Sequence, residues 1–190
     1  MTIVGLEGGL GSGKTIMEVR YLVKDYLKGI PIHANFKLKK IDYEPLDVMK
    51  ILEMDKEKIN INSLSLAIDE ITVFMDCRTS MKKMNRFISY FILQTRKRNV
   101  TMYYTTQDFN YTDLRLANHT DIRIFCEKIK ATEDTPRSEV DIKGFYKHWR
   151  KYIIYDLRDL RNITVRKFKM NISKYYDYYD TNEVILPPLE

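Results

Sequence analysis

Eight consecutive residues, Gly8-Gly9-Leu10-Gly11-Ser12-Gly13-Lys14-Thr15, satisfy the pattern G-x-x-x-x-G-K-[ST]. Their types suit the holding of a triphosphate. Gly8, Gly11 and Gly13 allow the backbone to wrap closely around phosphate oxygens with its N–H groups inward, where side chains would obstruct. Lys14 is a mobile point charge able to reach β- and γ-phosphates, and the Thr15 hydroxyl can hold Mg²⁺. All eight residues, Gly9, Leu10 and Ser12 included, are assigned to nucleotide binding.

A hydrolytic site needs acids as well. The run Leu64-Ser65-Leu66-Ala67-Ile68 ends in Asp69-Glu70. Asp69 suits the Mg²⁺ shell, often through water, and Glu70 can polarise an attacking water. Two acids closing a strand toward solvent would read the same in isolation; the intact loop upstream favours the catalytic assignment. A glutamate directly after the metal-site aspartate also marks the additional-strand, catalytic-glutamate division of phosphate-loop ATPases. A third polar terminus is Gln107, after Val100-Thr101-Met102-Tyr103-Tyr104-Thr105-Thr106. In the additional-strand arrangement that strand lies between the other two, so Gln107 is placed to hydrogen-bond the γ-phosphate or the water.

These side chains need strands to present them and a helix to receive the phosphate charge. Thr2-Ile3-Val4-Gly5-Leu6 is an apolar launch strand. The segment from Ile16 to Lys28 is apolar at helical spacing and is stopped by Gly29 and Pro31. A second strand is expected over Ile30–Asn35. A short helix from Leu46 to Met54 lies in the connection that follows. A further core strand is expected over Asp121–Ile129.

After a polar break at Thr132–Ser138, the segments Val140–Lys147 and Lys151–Asp156 read as an alternating pair, with Ile163–Met170 as another strand. These extend the sheet in antiparallel sense. The expected fold is α/β: a phosphate-loop NTPase with a mainly parallel central sheet flanked by helices. One domain spans 1–190, with a core over 1–130 and a β-rich extension over 131–190. Aromatic residues interleaved with Lys143, Lys147, Arg150 and Lys151 suit either a sheet face or stacking on single-stranded nucleic acid. The Val184–Pro188 stretch is extended by its prolines and able to dock on its own domain or a neighbour.

Composition sets limits. The 190 residues are 44% hydrophobic and 31% charged, ordinary for a globular domain. No run approaches the roughly 18 apolar residues of a membrane span, and early charges argue against a signal peptide, so a soluble, cytoplasmic protein is expected. Cys77 and Cys126 lack metal-ligand spacing, and His33, His119 and His148 are scattered; none is given a role. Formal net charge is +6. Residues 81–98 carry six basic side chains and no acidic one, with Phe87 and Phe91, and Ile88 and Ile92, at i,i+4 spacing. A helix with an apolar stripe and basic ends fits this pattern. From charge alone, a track for phosphate backbone and a solvated helix surface are equally compatible.

Taken in order, the phosphate loop, the strand ending Asp-Glu, the basic helix ending Gln-Thr-Arg-Lys-Arg and the strand ending Thr-Thr-Gln resemble the FtsK/HerA superfamily of DNA-pumping ATPases. More narrowly, they resemble compact genome-packaging or zonular-occludens-toxin-like ATPases of archaeal viruses and phages. The stretches Asp76-Cys77-Arg78-Thr79-Ser80 and Tyr175-Tyr176-Asp177-Tyr178-Tyr179-Asp180-Thr181 are similar to segments of that group. The resemblance implies a RecA-like motor with the additional-strand α/β fold, ATP and Mg²⁺ as cofactors, and a homo-oligomeric ring, commonly a hexamer, around double-stranded DNA. It also implies an arginine reaching each site from a neighbouring subunit. Arg78, Arg96, Arg98 and Arg115 are the candidates, and the sequence does not choose among them.

Larger members carry a DNA-reading domain or a membrane anchor, and neither is evident, which favours a soluble packaging motor working with capsid or portal proteins. Two readings follow: an ATP-driven DNA translocase, or a virion assembly or extrusion factor in which ATP controls oligomerisation without moving DNA. A phosphate-loop kinase is disfavoured by the Asp69-Glu70 pair, by Gln107 and by the lack of an evident arginine-rich lid.

Overall fold

The computed structural model describes residues 2–47, 63–74 and 100–180. Eight strands form one sheet in the order β3-β2-β4-β5-β1-β6-β7-β8. In chain order these are β1 (Thr2–Glu7), β2 (Ile32–Ala34), β3 (Glu44–Pro45), β4 (Leu64–Ile68), β5 (Val100–Thr106), β6 (Ile122–Lys130), β7 (Phe145–Asp156) and β8 (Thr164–Asn171). Strands β3, β2, β4, β5, β1 and β6 are parallel neighbours; β7 and β8 continue the sheet antiparallel to β6. Among the described residues the helices are α1 (Lys14–Tyr26), α2 (Ile71–Phe74) and α3 (Leu114–Asn118).

Alternation along buried strands sorts the core into two layers. Ile3, Leu66, Met102 and Tyr104 face one side with Phe109 and Leu116. Val4, Leu6, Ala67 and Tyr103 face the other, beneath Ile16, Met17, Val19 and Leu22 of α1. The helix buries its stripe because those apolar positions recur at three- and four-residue spacing. It is released through Leu27 into Gly29, whose φ of 73° is in the region glycine adopts most readily. Asp69 and Thr105 inherit the same parity: each is two residues beyond a side chain of the α1 layer, so both project toward the N-terminus of α1.

β5 lies between β4 and β1, as the Asp-Glu doublet implied. The extension differs from expectation in one respect. Residues 140–147 and 151–156 are not a strand pair; a single twelve-residue strand, β7, runs from Phe145 to Asp156 between β6 and β8. Val140 makes only an isolated bridge to Tyr146. The polar stretch His148-Trp149-Arg150 looked like a break because exposed His148 and Trp149 interrupt the apolar alternation. Arg150 faces inward and is buried, and the ladder runs on through it. The two-residue β3 was not anticipated.

The expected Leu46–Met54 helix lies from residue 48 onward outside the described residues, as do the basic segment 81–98 and the 184–188 stretch. Among the described residues no helix is long and apolar enough to cross a membrane.

Candidate functional site

The phosphate loop joins β1 to α1 at the C-terminal ends of the parallel strands, where open α/β sheets place their ligands. Gly8, Gly11 and Gly13 all have positive φ, at 154°, 68° and 91°. Packing adds a second requirement. A Cβ on Gly8 would lie 2.4 Å from the Cys126 carbonyl oxygen, and one on Gly13 would lie 2.8 Å from the Tyr152 hydroxyl. The loop is therefore pressed onto β6 and β7, and two side chains of β7 bind its carbonyls. Arg150 Nε donates to the Gly11 oxygen at 3.0 Å, and the Tyr152 hydroxyl donates to the Gly13 oxygen at 3.2 Å.

Lys14 is buried, and its Nζ donates to the carbonyl oxygens of Gly8 at 2.8 Å and Gly9 at 3.4 Å. Its charge is thereby held inside the curve of the loop. Leu10 stands exposed at the tip. The Ser12 hydroxyl is buried and has no hydrogen-bond partner among the described residues.

Across from the loop, Thr15 Oγ1 donates to the Asp69 carboxylate at 3.1 Å to Oδ1 and 3.0 Å to Oδ2. Thr105 Oγ1 donates to Asp69 Oδ1 at 2.5 Å and accepts from the Glu70 amide at 2.8 Å. Asn35, just beyond β2, accepts from the Asp69 amide at 2.8 Å and donates to the Asp69 carbonyl oxygen at 3.0 Å. Asp69 is thus fixed at once from α1, from β5 and from the end of β2. Burial pushes its carboxyl above the usual range, and the bonds from Thr105 and Thr15 and the charge of Lys14 oppose that rise.

Glu70 has φ 51°, a left-handed conformation costing a non-glycine residue about 1 kcal/mol. The chain reverses there into α2. Its carboxyl is half-buried and raised, first by burial and then by Asp69; Lys14 and a hydrogen bond with Gln107 act in the opposite sense. Gln107 itself is exposed at the end of β5. Beneath the acids, Glu18 of α1 is fully buried, and burial reinforced by the charge of Asp69 favours its neutral form.

The structure therefore brings together Gly8 through Thr15, Asp69, Glu70 and Gln107. Arg78, Arg96 and Arg98 lie outside the described residues. Arg115, on α3, lies beside Asp113, with Nη2 and Oδ2 2.7 Å apart. Sequence reasoning missed Asn35, Thr105, Glu18, Arg150 and Tyr152. For Thr105 a signal existed, namely a hydroxyl at core parity on a buried strand; for Arg150 none did.

The donor set suits a hard cation. Thr15 and Asp69 offer adjacent hydroxyl and carboxylate oxygens, which fit Mg²⁺. Among the described residues no three His, Cys, Asp or Glu side chains cluster for a metal. Phosphate oxygens and water would complete the shell, as Mg²⁺ with a nucleotide requires.

Between loop, acids and the segment after β8 lies a cavity of about 330 Å³. That size falls within the ordinary range for small-ligand sites.

No protein-family model and no curated protein matches the chain. Its fold is similar to that of several solved structures. The N-terminal domain of zonular occludens toxin from Neisseria meningitidis aligns over 94% of this chain and 98% of that one, at 16% identity and TM-score 0.59. The DNA-packaging ATPase B204 of Sulfolobus Turreted Icosahedral Virus aligns over 87% of this chain and 96% of that one, at 14% identity and TM-score 0.53. The pCW3 conjugation coupling protein TcpA, with ATPγS, aligns over 92% of this chain and 62% of that one, at 15% identity and TM-score 0.58. At these identities the likeness is one of fold. The chain has the α/β phosphate-loop NTPase fold with an additional strand and an antiparallel extension, and the similar structures agree with the group its motifs resemble.

Proposed function

We propose that this chain is an ATP-hydrolysing DNA translocase, of the kind that packages a viral genome, with Mg·ATP as its substrate. The observation that carries the reading is the hydrogen-bonded set Thr15–Asp69–Thr105–Glu70, which reaches Glu70 at its backbone amide, with Gln107 hydrogen-bonded to the Glu70 carboxyl from the end of β5. A loop that only binds nucleotide needs no second acid beside its metal-site aspartate, and none linked to a strand-terminal glutamine.

The roles follow from the geometry. Backbone amides of residues 9–15 and the Lys14 ammonium hold the β- and γ-phosphates at the head of α1. Thr15 and Asp69 would hold Mg²⁺, which would supply neutralisation of phosphate charge when bound. Glu70 accepts the proton of the attacking water as the new oxygen–phosphorus bond forms and the bridge to ADP breaks. Its raised carboxyl is a stronger base than an exposed glutamate. Gln107 orients Glu70 and the water.

The similarity to B204, a DNA-packaging ATPase, and to the conjugation coupling protein supports DNA as the polymer that is moved. The basic segment 81–98 is the candidate contact with its backbone. A homo-oligomeric ring, with Arg78, Arg96 or Arg98 completing a neighbour's site, belongs to the same proposal.

The test is ATP turnover with and without long double-stranded DNA, at several salt concentrations. Stimulation by DNA that fades with salt is expected. Lys14→Ala should lose nucleotide binding, and Glu70→Gln should keep binding while losing about 10²-fold or more in turnover. Turnover indifferent to DNA, together with no salt-sensitive DNA binding, would replace translocation by nucleotide control of an assembly.

A further inference from the structure

The segment after β8 crosses the top of the sheet as a strap. Ile172 N donates to the His148 carbonyl oxygen at 2.7 Å, which fixes its start beside β7. Its far side is tied to the loop after β2. Lys39 N donates to the Tyr178 carbonyl oxygen at 2.6 Å, Leu38 bridges Tyr179, and Lys40 Nζ lies 2.7 Å from Asp177 Oδ2.

The strap is the second wall of the 330 Å³ cavity, facing the phosphate loop. The two walls differ in chemistry. The loop side offers Lys14, Thr15, Asp69 and Glu70, all suited to phosphate and metal. The strap side offers Tyr176 and Tyr179, backed by buried Ile172 and, from the loop after β2, by buried Phe36; Asp180 ends this wall and Arg150 stands at its border.

Tyr176 and Tyr179 are half-buried, so each has surface left to cover. Both are held in place: Tyr176 is hydrogen-bonded to His148 Nδ1 at 3.2 Å and packs edge-on against that ring, and Tyr179 is pinned by the Leu38 bridge. A phosphate chain has no use for such a wall, whereas a flat heterocycle and a sugar do.

We infer that the strap is the nucleoside subsite, in which base and ribose pack against Tyr176 and Tyr179 while the phosphates occupy the loop. The inference rests on reading the loop as a triphosphate site, and it adds what the loop cannot provide: discrimination of a nucleotide from bare polyphosphate. Arg150 ties the subsite to the loop, since its Nε holds the Gly11 carbonyl while its aliphatic stem lies against Gly13.

The test compares Mg²⁺ complexes of ATP and of inorganic tripolyphosphate by titration calorimetry, for wild type, Tyr176→Ala, Tyr176→Phe, Tyr179→Ala and Lys14→Ala. Tyr176→Ala and Tyr179→Ala should each weaken ATP about tenfold, the scale of one lost aromatic stack, and leave tripolyphosphate unchanged. Tyr176→Phe, which keeps the ring, should bind ATP within about twofold of wild type. Equal weakening of ATP and tripolyphosphate, or no weakening of either, would overturn the subsite. A wild type that binds neither ligand would overturn the triphosphate reading instead, and Lys14→Ala should lose both. Circular dichroism of each variant keeps a folding defect from passing as either result.

Discussion

Asn35 grips the peptide of Asp69 from both sides, accepting from its amide at 2.8 Å and donating to its carbonyl oxygen at 3.0 Å. The carboxamide thus takes the place of a further strand residue exactly where β4 ends and the acid must be aimed. Asn35→Ala removes both bonds and leaves a partly buried peptide unpaired. A loss of about 1–3 kcal/mol in urea unfolding is expected, with a fall of about 10- to 100-fold in ATP turnover as Asp69 loses its aim. Asn35→Asp, unable to donate, should not restore it. Unchanged turnover would leave Asn35 a mere strand-end cap.

Thr105 ties the Asp69 carboxylate to the Glu70 backbone, donating a hydrogen bond to the first and accepting one from the amide of the second. Thr105→Val keeps the shape and deletes both bonds. Thr105→Ser keeps the bonds and deletes a methyl. Turnover at saturating ATP should drop at least tenfold in the valine variant and by under threefold in the serine variant. The reverse order would mean that packing, not the hydroxyl, matters at this position.

Far from the loop, the Tyr103 hydroxyl donates to Asp25 Oδ2 at 2.7 Å, an oxygen shared with Ser65. Burial, and then the bond to that carboxylate, pushes the phenol well above its ordinary value near 10. The folded chain therefore holds the proton more tightly than the unfolded one. The resulting stability is complete below about pH 10 and is lost as pH climbs above it toward the folded value. Urea midpoints should hold up to about pH 10 and fall as pH rises beyond it. Tyr103→Phe should be about 1–2 kcal/mol less stable at pH 7 and should show a shallower alkaline decline. Identical slopes for the two proteins would refute the assignment.

Gly5 sits mid-strand in β1, where a Cβ would lie 2.6 Å from Phe109 Cε1 and 2.7 Å from Tyr104 Cζ. Neither ring can yield cheaply: Tyr104 is fully buried and its hydroxyl is hydrogen-bonded to Thr120 at 2.7 Å. Gly5→Ala should cost about 1–3 kcal/mol by overpacking. Pairing it with Phe109→Leu should recover part of the loss in a thermal melt. A fully stable Gly5→Ala would show that the strand shifts freely.

The parts legible in the sequence were those governed by short-range rules. Buried parallel strands announce themselves as apolar runs, and β4 and β5 each lead directly into the polar residues that the chemistry requires, as β1 leads into the phosphate loop. The phosphate loop is local, so its residues could be named one by one. Asn35 was not legible because its partner is 34 positions away and is reached only once β2 lies beside β4. Arg150 was hidden as well. In the sequence it is one of the basic residues of an aromatic-rich segment, suited to a sheet face or to nucleic acid; its bond to the Gly11 carbonyl spans 139 positions and exists only once β7 lies beside β6. The strap was marked in the sequence only by the resemblance of Tyr175–Thr181 to segments of the group; its contacts with Leu38, Lys39 and Lys40 are more than 130 positions away in the chain and leave no periodicity to read.

That strap also sets an order of events for the chain as it is made. The phosphate loop leaves the ribosome early, but the strand that binds its carbonyls begins at Phe145 and the tyrosines opposite it come after Ile172. A nascent chain halted at residue 140 would carry Lys14, Asp69, Glu70 and Gln107 and still lack both the brace and the far wall. If the strap holds the nucleoside, that competence is withheld until synthesis has passed Tyr179, and a chain halted earlier should bind nucleotide no better than tripolyphosphate.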